Sequence, residues 1–331
     1  MRSTSCAAAG KRSEQPFPGS KPKSGRFRER LPRRKTINAT IGSFVMTGHI
    51  LIATDLSARS ELALRRGLSL AKACAAQCTV LYVVDEEQPQ EIIRDKQGSI
   101  NRYLEKQITA LLPEGSPRPE VVIEIGDIHD AINKTAQKHR SRLIVMGAHR
   151  RNILLDVFRG TTIERVLHTG STPVLMAARP VEDDYDAVVF GVAADPSSKH
   201  AIDTACALGL VAAAQLTVVH AYTDLAKVQM SYAGIEPAQI TRQSGEHFNM
   251  TAEKLYEFLS DTMISNRNYR LVFDEIDPAE IILKVAGDLD ADLVVVGTHD
   301  LTGLRKVMLG SVAQSVLRKA HCDVLAVPPT E

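Results

Sequence analysis

The strongest constraint on this 331-residue chain is that it repeats itself. RLIVMGAH (142–149) is answered by DLVVVGTH (292–299), RVLHTGSTPVLM (165–176) by SVLRKAHCDVLA (315–326), and GDIHDAI (126–132) by IDPAEII (276–282), all at an offset of 150. Towards the front the offset contracts. CTVLYV (78–83) matches LTVVHA (216–221) at 138, and Asp55 in IATDLS is aligned with Asp195 in VAADPS at 140. The second copy therefore reads as two residues shorter after its first strand and twelve longer before its third. Such adjustments are tolerated in loops and surface helices. A unit of this length is a duplicated domain and not a solenoid repeat.

Within each copy, uninterrupted Val/Ile/Leu runs alternate with helically spaced segments. In the first copy HILIAT, CTVLYVV, EVVIEIG, RLIVMG and PVLMAA read as five strands. Helical stretches separate them, one with Leu62, Leu64, Leu68 and Leu70 among polar residues, and the second copy repeats the order with a longer helix near 237–263. Continuous apolar strands joined by helical crossovers predict an α/β fold with a parallel sheet buried on both faces. The expectation is two tandem doubly wound domains over 46–178 and 187–331, joined by a short acidic linker, 179–186.

Residues 1–45 differ in composition. Eleven Lys or Arg stand against Glu14 and Glu29, a surplus of nine, so the net charge of +1 leaves the remainder at −8. A basic, Ser/Pro/Gly-rich tail predicts disorder. Three readings of it stand: an arm for nucleic acid or an anionic membrane, an organellar transit peptide, or a segment outside a natural start at Met46. The abrupt strand after Met46 favours the last, and no specific nucleic-acid partner is expected. No apolar run approaches the roughly 20 residues of a membrane span. Five cysteines, Cys6, Cys74, Cys78, Cys206 and Cys322, without a His/Cys cluster fit free thiols in a reducing cytoplasm.

In a doubly wound sheet, ligands bind beyond the carboxyl ends of the strands. Asp55 and Asp195 end the first strands, and Gly147 and Gly297 end the fourth. Thirteen residues later Gly160-Thr161 and Gly310-Ser311 open a helix, where backbone N–H groups, a hydroxyl and the helix dipole can cradle phosphate. The bland alternative is that Gly-Thr and Gly-Ser are ordinary N-caps and Asp an ordinary turn residue. His149 and His299 recur beside these loops, but no carboxylate or nucleophile pattern accompanies them, so loop packing or a hydrogen bond to phosphate is expected over catalysis. The chain also has no Walker, Gly-x-Gly-x-x-Gly after a strand, His-Glu-x-x-His or Gly-x-Ser-x-Gly signature.

The two copies resemble tandem universal stress protein domains over residues 46–329. That family's nucleotide motif is Gly, two residues, Gly, nine residues, Gly-Ser or Gly-Thr. Gly147, Gly160 and Thr161, then Gly297, Gly310 and Ser311, keep the spacing. The resemblance implies strand order 3-2-1-4-5 and pairing through the last strand, either in a homodimer or as a pseudo-dimer of the two copies. It implies ATP, with Mg²⁺, as ligand: an Asp such as Asp55 or Asp195 near adenosine, the strand-two backbone near Val80 or Val218 at adenine, and the Gly loop at the phosphates. The motif's second Gly is Arg150 in the first copy and Asp300 in the second. A carboxylate about 4 Å from a phosphate costs about 4 kcal/mol per charge pair at an effective dielectric of 20. The first copy also keeps Gly126-Asp127, where the second has Ile276-Asp277. The first site is thus expected to be the better occupied. The expected function is a stress-associated, adenine-nucleotide-binding regulator in the cytoplasm. A nucleotide-independent scaffold is the alternative, and a slow ATPase ranks third, since no residue is committed to a water or metal.

Overall fold

The computed structural model describes residues 48–85, 90–148, 161–180, 184–221, 237–274, 277–298 and 309–329. In the first half, strands β1 (His49–Thr54), β2 (Gln77–Val84), β3 (Glu120–Ile125), β4 (Ser141–Gly147) and β5 (Val174–Ala177) alternate with helices α1 (Ala58–Ala73), α2 (Gln90–Leu111), α3 (Ile128–Lys138) and α4 (Thr162–Thr169). The second half repeats this with β6 (Ala187–Gly191), α5 (Pro196–Ala207), β7 (Gln215–Ala221), α6 (Pro237–Ser260), β8 (Tyr269–Asp274), α7 (Pro278–Asp288), β9 (Leu293–Gly297), α8 (Ser311–Lys319) and β10 (Asp323–Val327). Each half has the strand order 3-2-1-4-5 that the resemblance implied. The two sets are nevertheless not separate: ten strands form one sheet, β3-β2-β1-β4-β5-β10-β9-β6-β7-β8. Every pairing is parallel except the central one, where β5 and β10 run antiparallel with Leu175 opposite Leu325.

Alternation along the strands builds two cores, one per face. Ile50, Ile52, Val145, Leu175, Phe190, Val295 and Leu325 face α1, α2, α5 and α6. Leu51, Ile144, Val174, Val189, Val294 and Val324 face α3, α4, α7 and α8. Each core runs across the β5·β10 joint, so the apolar layers of the two halves are continuous. That explains why the strands read as unbroken apolar runs: in a sheet covered on both sides, both parities are buried.

Strand register corrects the sequence alignment. β1 pairs with β2 through His49↔Gln77, and β6 with β7 through Ala187↔Gln215, a constant offset of 138. Nothing is lost after the first strand. Leu56 and Ala194 share the left-handed conformation, with φ of 61° and 56°. Ser57 and Asp195 each cap the helix that follows. Asp195 is therefore the counterpart of Ser57, and Ala193 stands where the first half has Asp55. The misalignment arose because a helix-capping Asp two residues further on resembles a strand-ending Asp.

Gly147 and Gly297 are required by packing. A Cβ on Gly147 would lie 2.7 Å from the backbone of Arg59, and one on Gly297 would lie 2.5 Å from Ser197 Oγ and 2.9 Å from its carbonyl. In both halves the first turn of the first helix rests directly on the end of the fourth strand. Gly147→Ala and Gly297→Ala should each cost about 1–3 kcal/mol in urea denaturation, because backbone must move. Gly287→Ala, where nothing lies within 4 Å of the added carbon, should be neutral or stabilising by up to about 1 kcal/mol.

Across the joint, Thr161 and Glu164 form a capping box at the start of α4. Arg318 of α8 grips both oxygens of the same carboxylate at 2.6 and 2.9 Å. Burial pushes the Glu164 carboxyl up, but hydrogen bonds from Arg318 and Thr161 outweigh this and hold it below its ordinary value. A depressed carboxylate stabilises fully above the unfolded value of about 4.3, and that contribution fades as pH falls through the lower folded value. Glu164→Ala should cost about 2–3 kcal/mol at pH 7. Measured by denaturation near pH 3 or below, its difference from the wild type should shrink; an undiminished difference would contradict this account.

Candidate functional site

The first half reverses its winding between β1 and β4, which lie side by side while their following helices go to opposite faces. Such a switch point leaves a crevice beyond the carboxyl ends of the strands. Asp55 follows β1, Asp85 follows β2, Gly126 and Asp127 follow β3, and Gly147 ends β4. Four chain segments therefore bring polar groups to one end of the sheet.

The β1–α1 turn is tightly determined. Asp55 Oδ1 accepts the Ser57 amide at 3.0 Å, Thr54 Oγ1 accepts the Leu56 amide at 3.1 Å, and the Thr54 hydroxyl donates to Ser60 Oγ at 2.9 Å. Partial burial raises the Asp55 carboxyl, yet hydrogen bonds from Ser57 and Ser60 bring it below its ordinary value, so it is an anion at neutral pH. Tyr82, near the end of β2, has its phenol pushed up by burial and by the charge of Asp55. It belongs to the crevice, and sequence reasoning missed it. The signal was available, since Tyr82 lies opposite Thr54 in the β1·β2 register.

On the neighbouring strand Gly126 takes φ of 149°, a conformation that favours glycine, and its amide donates to Val84 O at 3.0 Å. Asp127 then caps α3 by accepting the His129 and Asp130 amides. Its carboxylate also contacts His129 Nδ1 and Arg165, which lies 3.4 Å away. Asp127, His129 and Asp130 form one group whose ligating atoms lie within 4.8 Å of one another. Of its three side chains, Asp127 already serves both the α3 cap and the Arg165 pair. A cavity of about 410 Å³ beside it is lined by Glu124, Gly126, Asp127, Asp130, Lys134 and Lys138.

Not every expected residue lies at the crevice. Val80 and Val218 are fully buried mid-strand, paired on both sides to Ile52 and Val121 and to Phe190 and Leu271. Their backbones lie below the carboxyl end, and the open end of these strands is formed by residues near Val84 and Ala221. Thr161 is buried, and its hydroxyl accepts the Glu164 amide at 3.2 Å. Its bland reading as a cap is thus realised, though the helix N-terminus still opens at this end. In the second half Gly310 is the cap residue without a side-chain bond, and Ser311 is exposed at the first turn of α8. Asp195 accepts the Ser198 amide at 2.7 Å as the cap of α5. His149, Arg150, Gly160, His299 and Asp300 lie outside the described residues.

The second crevice has a different lining. Ala193 replaces the carboxylate of Asp55, and its amide donates to Ser198 Oγ at 2.9 Å. His220, the counterpart of Tyr82, is fixed by Nδ1 against Val192 O at 2.8 Å and meets the Phe273 ring edge-on. Where the first half has a carboxylate beside an aromatic hydroxyl, the second has an imidazole and a phenyl ring. Among the described residues no helix is long and apolar enough to cross a membrane.

Comparison with known proteins agrees with this architecture. A universal stress protein from Archaeoglobus fulgidus superimposes with a TM-score of 0.60 at 18% identity, covering 85% of this chain and 98% of its own. A functionally unknown protein from Pseudomonas aeruginosa superimposes with 0.57 at 20% identity, covering 86% and 94%. Universal stress protein A homolog 2 of Coxiella burnetii is 30% identical over 150 residues, 44% of this chain and 96% of its own length. The model of the universal stress protein family matches residues 46–178 and 184–328, in keeping with the duplicated five-strand order, and the chain belongs to that family.

Proposed function

We propose that this protein is a stress-associated regulator that binds one adenine nucleotide, in the crevice of its first half, and works through the surfaces of an internal pair of halves. The observation that carries this reading is the asymmetry between the crevices. Among the described residues, the first crevice has the Asp55 carboxylate with Tyr82 beside it and Gly126 at the end of β3, where the second has Ala193 in place of Asp55 and His220 in place of Tyr82. A carboxylate there can accept hydrogen bonds from ribose hydroxyls or an adenine amino group. The start of α4 supplies backbone donors and a positive dipole end for phosphate. In the second half both the Asp and the flexible Gly are replaced, by Ala193 and Ile276. ATP, with Mg²⁺, is the ligand proposed; Asp127, after β3 at the same end of the sheet, would be a carboxylate for such an ion, though it already serves the α3 cap.

The internal pair rests on β5·β10: with both last strands paired inside one sheet, neither is left as a free edge for a second copy. A nucleotide-independent scaffold is the second reading, favoured by Thr161, whose hydroxyl is already engaged in the capping box. No catalytic role is assigned.

Calorimetric titration of the full chain with ATP and Mg²⁺ separates the two. One site per chain is expected. Asp55→Ala should weaken it about ten- to a hundredfold, the worth of hydrogen bonds to a charged group. Asp195→Ala should leave affinity unchanged while removing the α5 cap, at a cost of about 1 kcal/mol of stability or more. Two equal sites, or an Asp195→Ala effect matching that of Asp55→Ala, would overturn the one-site reading. No binding at millimolar ATP would favour the scaffold.

A further inference from the structure

The β5·β10 joint carries a buried polar cluster that no feature of the nucleotide site explains. Asp323, at the start of β10, is wholly inaccessible. Its Oδ2 accepts Arg66 Nε of α1 at 2.9 Å and the Tyr185 hydroxyl at 2.8 Å. Its Oδ1 accepts the amides of Ala178 and Arg179, just beyond β5, at 2.8 and 3.1 Å. Arg66 is itself buried, and its guanidinium lies 4.5 Å from the centroid of the Tyr185 ring. A carboxylate of the second half is thus neutralised and fully bonded by donors of the first half and of the segment between them.

The local twofold passes through Leu175 and Leu325, which face each other and are themselves equivalent at the offset of 150. Applying that symmetry to the cluster gives the equivalent positions at the other end of the joint. Asp323 corresponds to Pro173, as the β4·β5 and β9·β10 registers require. Arg66 corresponds to Thr204 at the offset of 138. Ala178 and Arg179 correspond to Pro328 and Pro329, which have no N–H to donate. The acceptor and all three of these donors have been replaced together.

We propose that the joint accepts only unlike halves, with Asp323 as the residue that selects the partner. The proposal deepens the reading that the halves pair within one chain, and rests on it. If β10 paired with a second β10, each Asp323 would be buried against Thr204, Pro328 and Pro329, with no cation and no amide. If β5 paired with a second β5, each buried Arg66 would lose the Asp323 carboxylate and have Pro173 in its place. Removing one partner of a buried ion pair is severely destabilising, because the other charge stays desolvated. Both self-pairings carry that penalty twice, and the unlike pairing carries it not at all. The partner that fits β5 is therefore the β10 end of this same chain, and a homodimer through the last strands is selected against.

Two substitutions impose the self-pairing environments on the intact chain. Pro173→Asp places a carboxylate at a half-buried position on the side of Thr204, Pro328 and Pro329, as β10·β10 pairing would. Asp323→Ala leaves Arg66 without its anion, as β5·β5 pairing would, while keeping the Asp323 amide that donates to Asp292 O. Each should lower the Tm of the full chain by roughly 5–10 °C. Adding Arg66→Met to Asp323→Ala should recover at least half of that loss, and this double variant keeps the test readable if the single one does not fold. Wild-type Tm in Pro173→Asp, or additive losses in the double variant, would overturn the proposal. Chemical cross-linking of mixed isotopically light and heavy chains distinguishes the failures. Links across the joint between light and heavy copies would mean that the halves pair between chains, and would overturn the reading beneath the proposal as well. Links confined to one copy, with unperturbed Tm in both variants, would overturn the selection alone.

Discussion

One antiparallel pairing organises this protein. Each half presents a parallel sheet whose last strand, left unpaired, would be an apolar edge with free backbone groups. Pairing β5 with β10 removes both edges and makes two five-strand sheets into one of ten. It also lets the apolar layer on each face run through without a seam. The polar contacts at the joint are secondary in area but not in information. On one face Glu164 and Arg318 tie α4 to α8, and on the other Arg66 reaches from α1 to Asp323.

Because the sheet is doubly wound in each half, the crevices follow from topology, and their different chemistry follows from side chains. Equivalent turns, with Leu56 and Ala194 in the same left-handed conformation, carry Asp55 in one half and Ala193 in the other. Equivalent strand ends carry Tyr82 and His220. The scaffold is duplicated, whereas its lining is not. This separation is expected when packing constrains the strands and helix starts while the exposed loop ends stay free to vary.

Much of this was legible in the residues. Strand runs, helical spacing, strand order by resemblance and the placement of Gly147 and Gly297 at strand ends all agree with the structure. The meaning of those glycines was not legible. A sequence pattern cannot distinguish a glycine that admits a ligand from one that admits Arg59 or Ser197 of its own chain, because both need the missing Cβ. The Asp55–Asp195 equivalence failed for a related reason: an Asp that ends a strand and an Asp that caps the next helix fall two residues apart and look alike. The resemblance implied the strand-two backbone near Val80 and Val218 at adenine, and the register shows both side chains buried mid-strand, which a resemblance does not reveal.

What the sequence determined by itself is the repeated unit, since periodic burial writes itself into the order of apolar residues whatever the surroundings. What only the tertiary structure decided is how the two units meet and which of their polar residues matter. Arg66 and Asp323 are 257 positions apart, each unremarkable in its own segment. Their charges acquire energetic weight only when the fold brings them together at 2.9 Å and removes the water from around them.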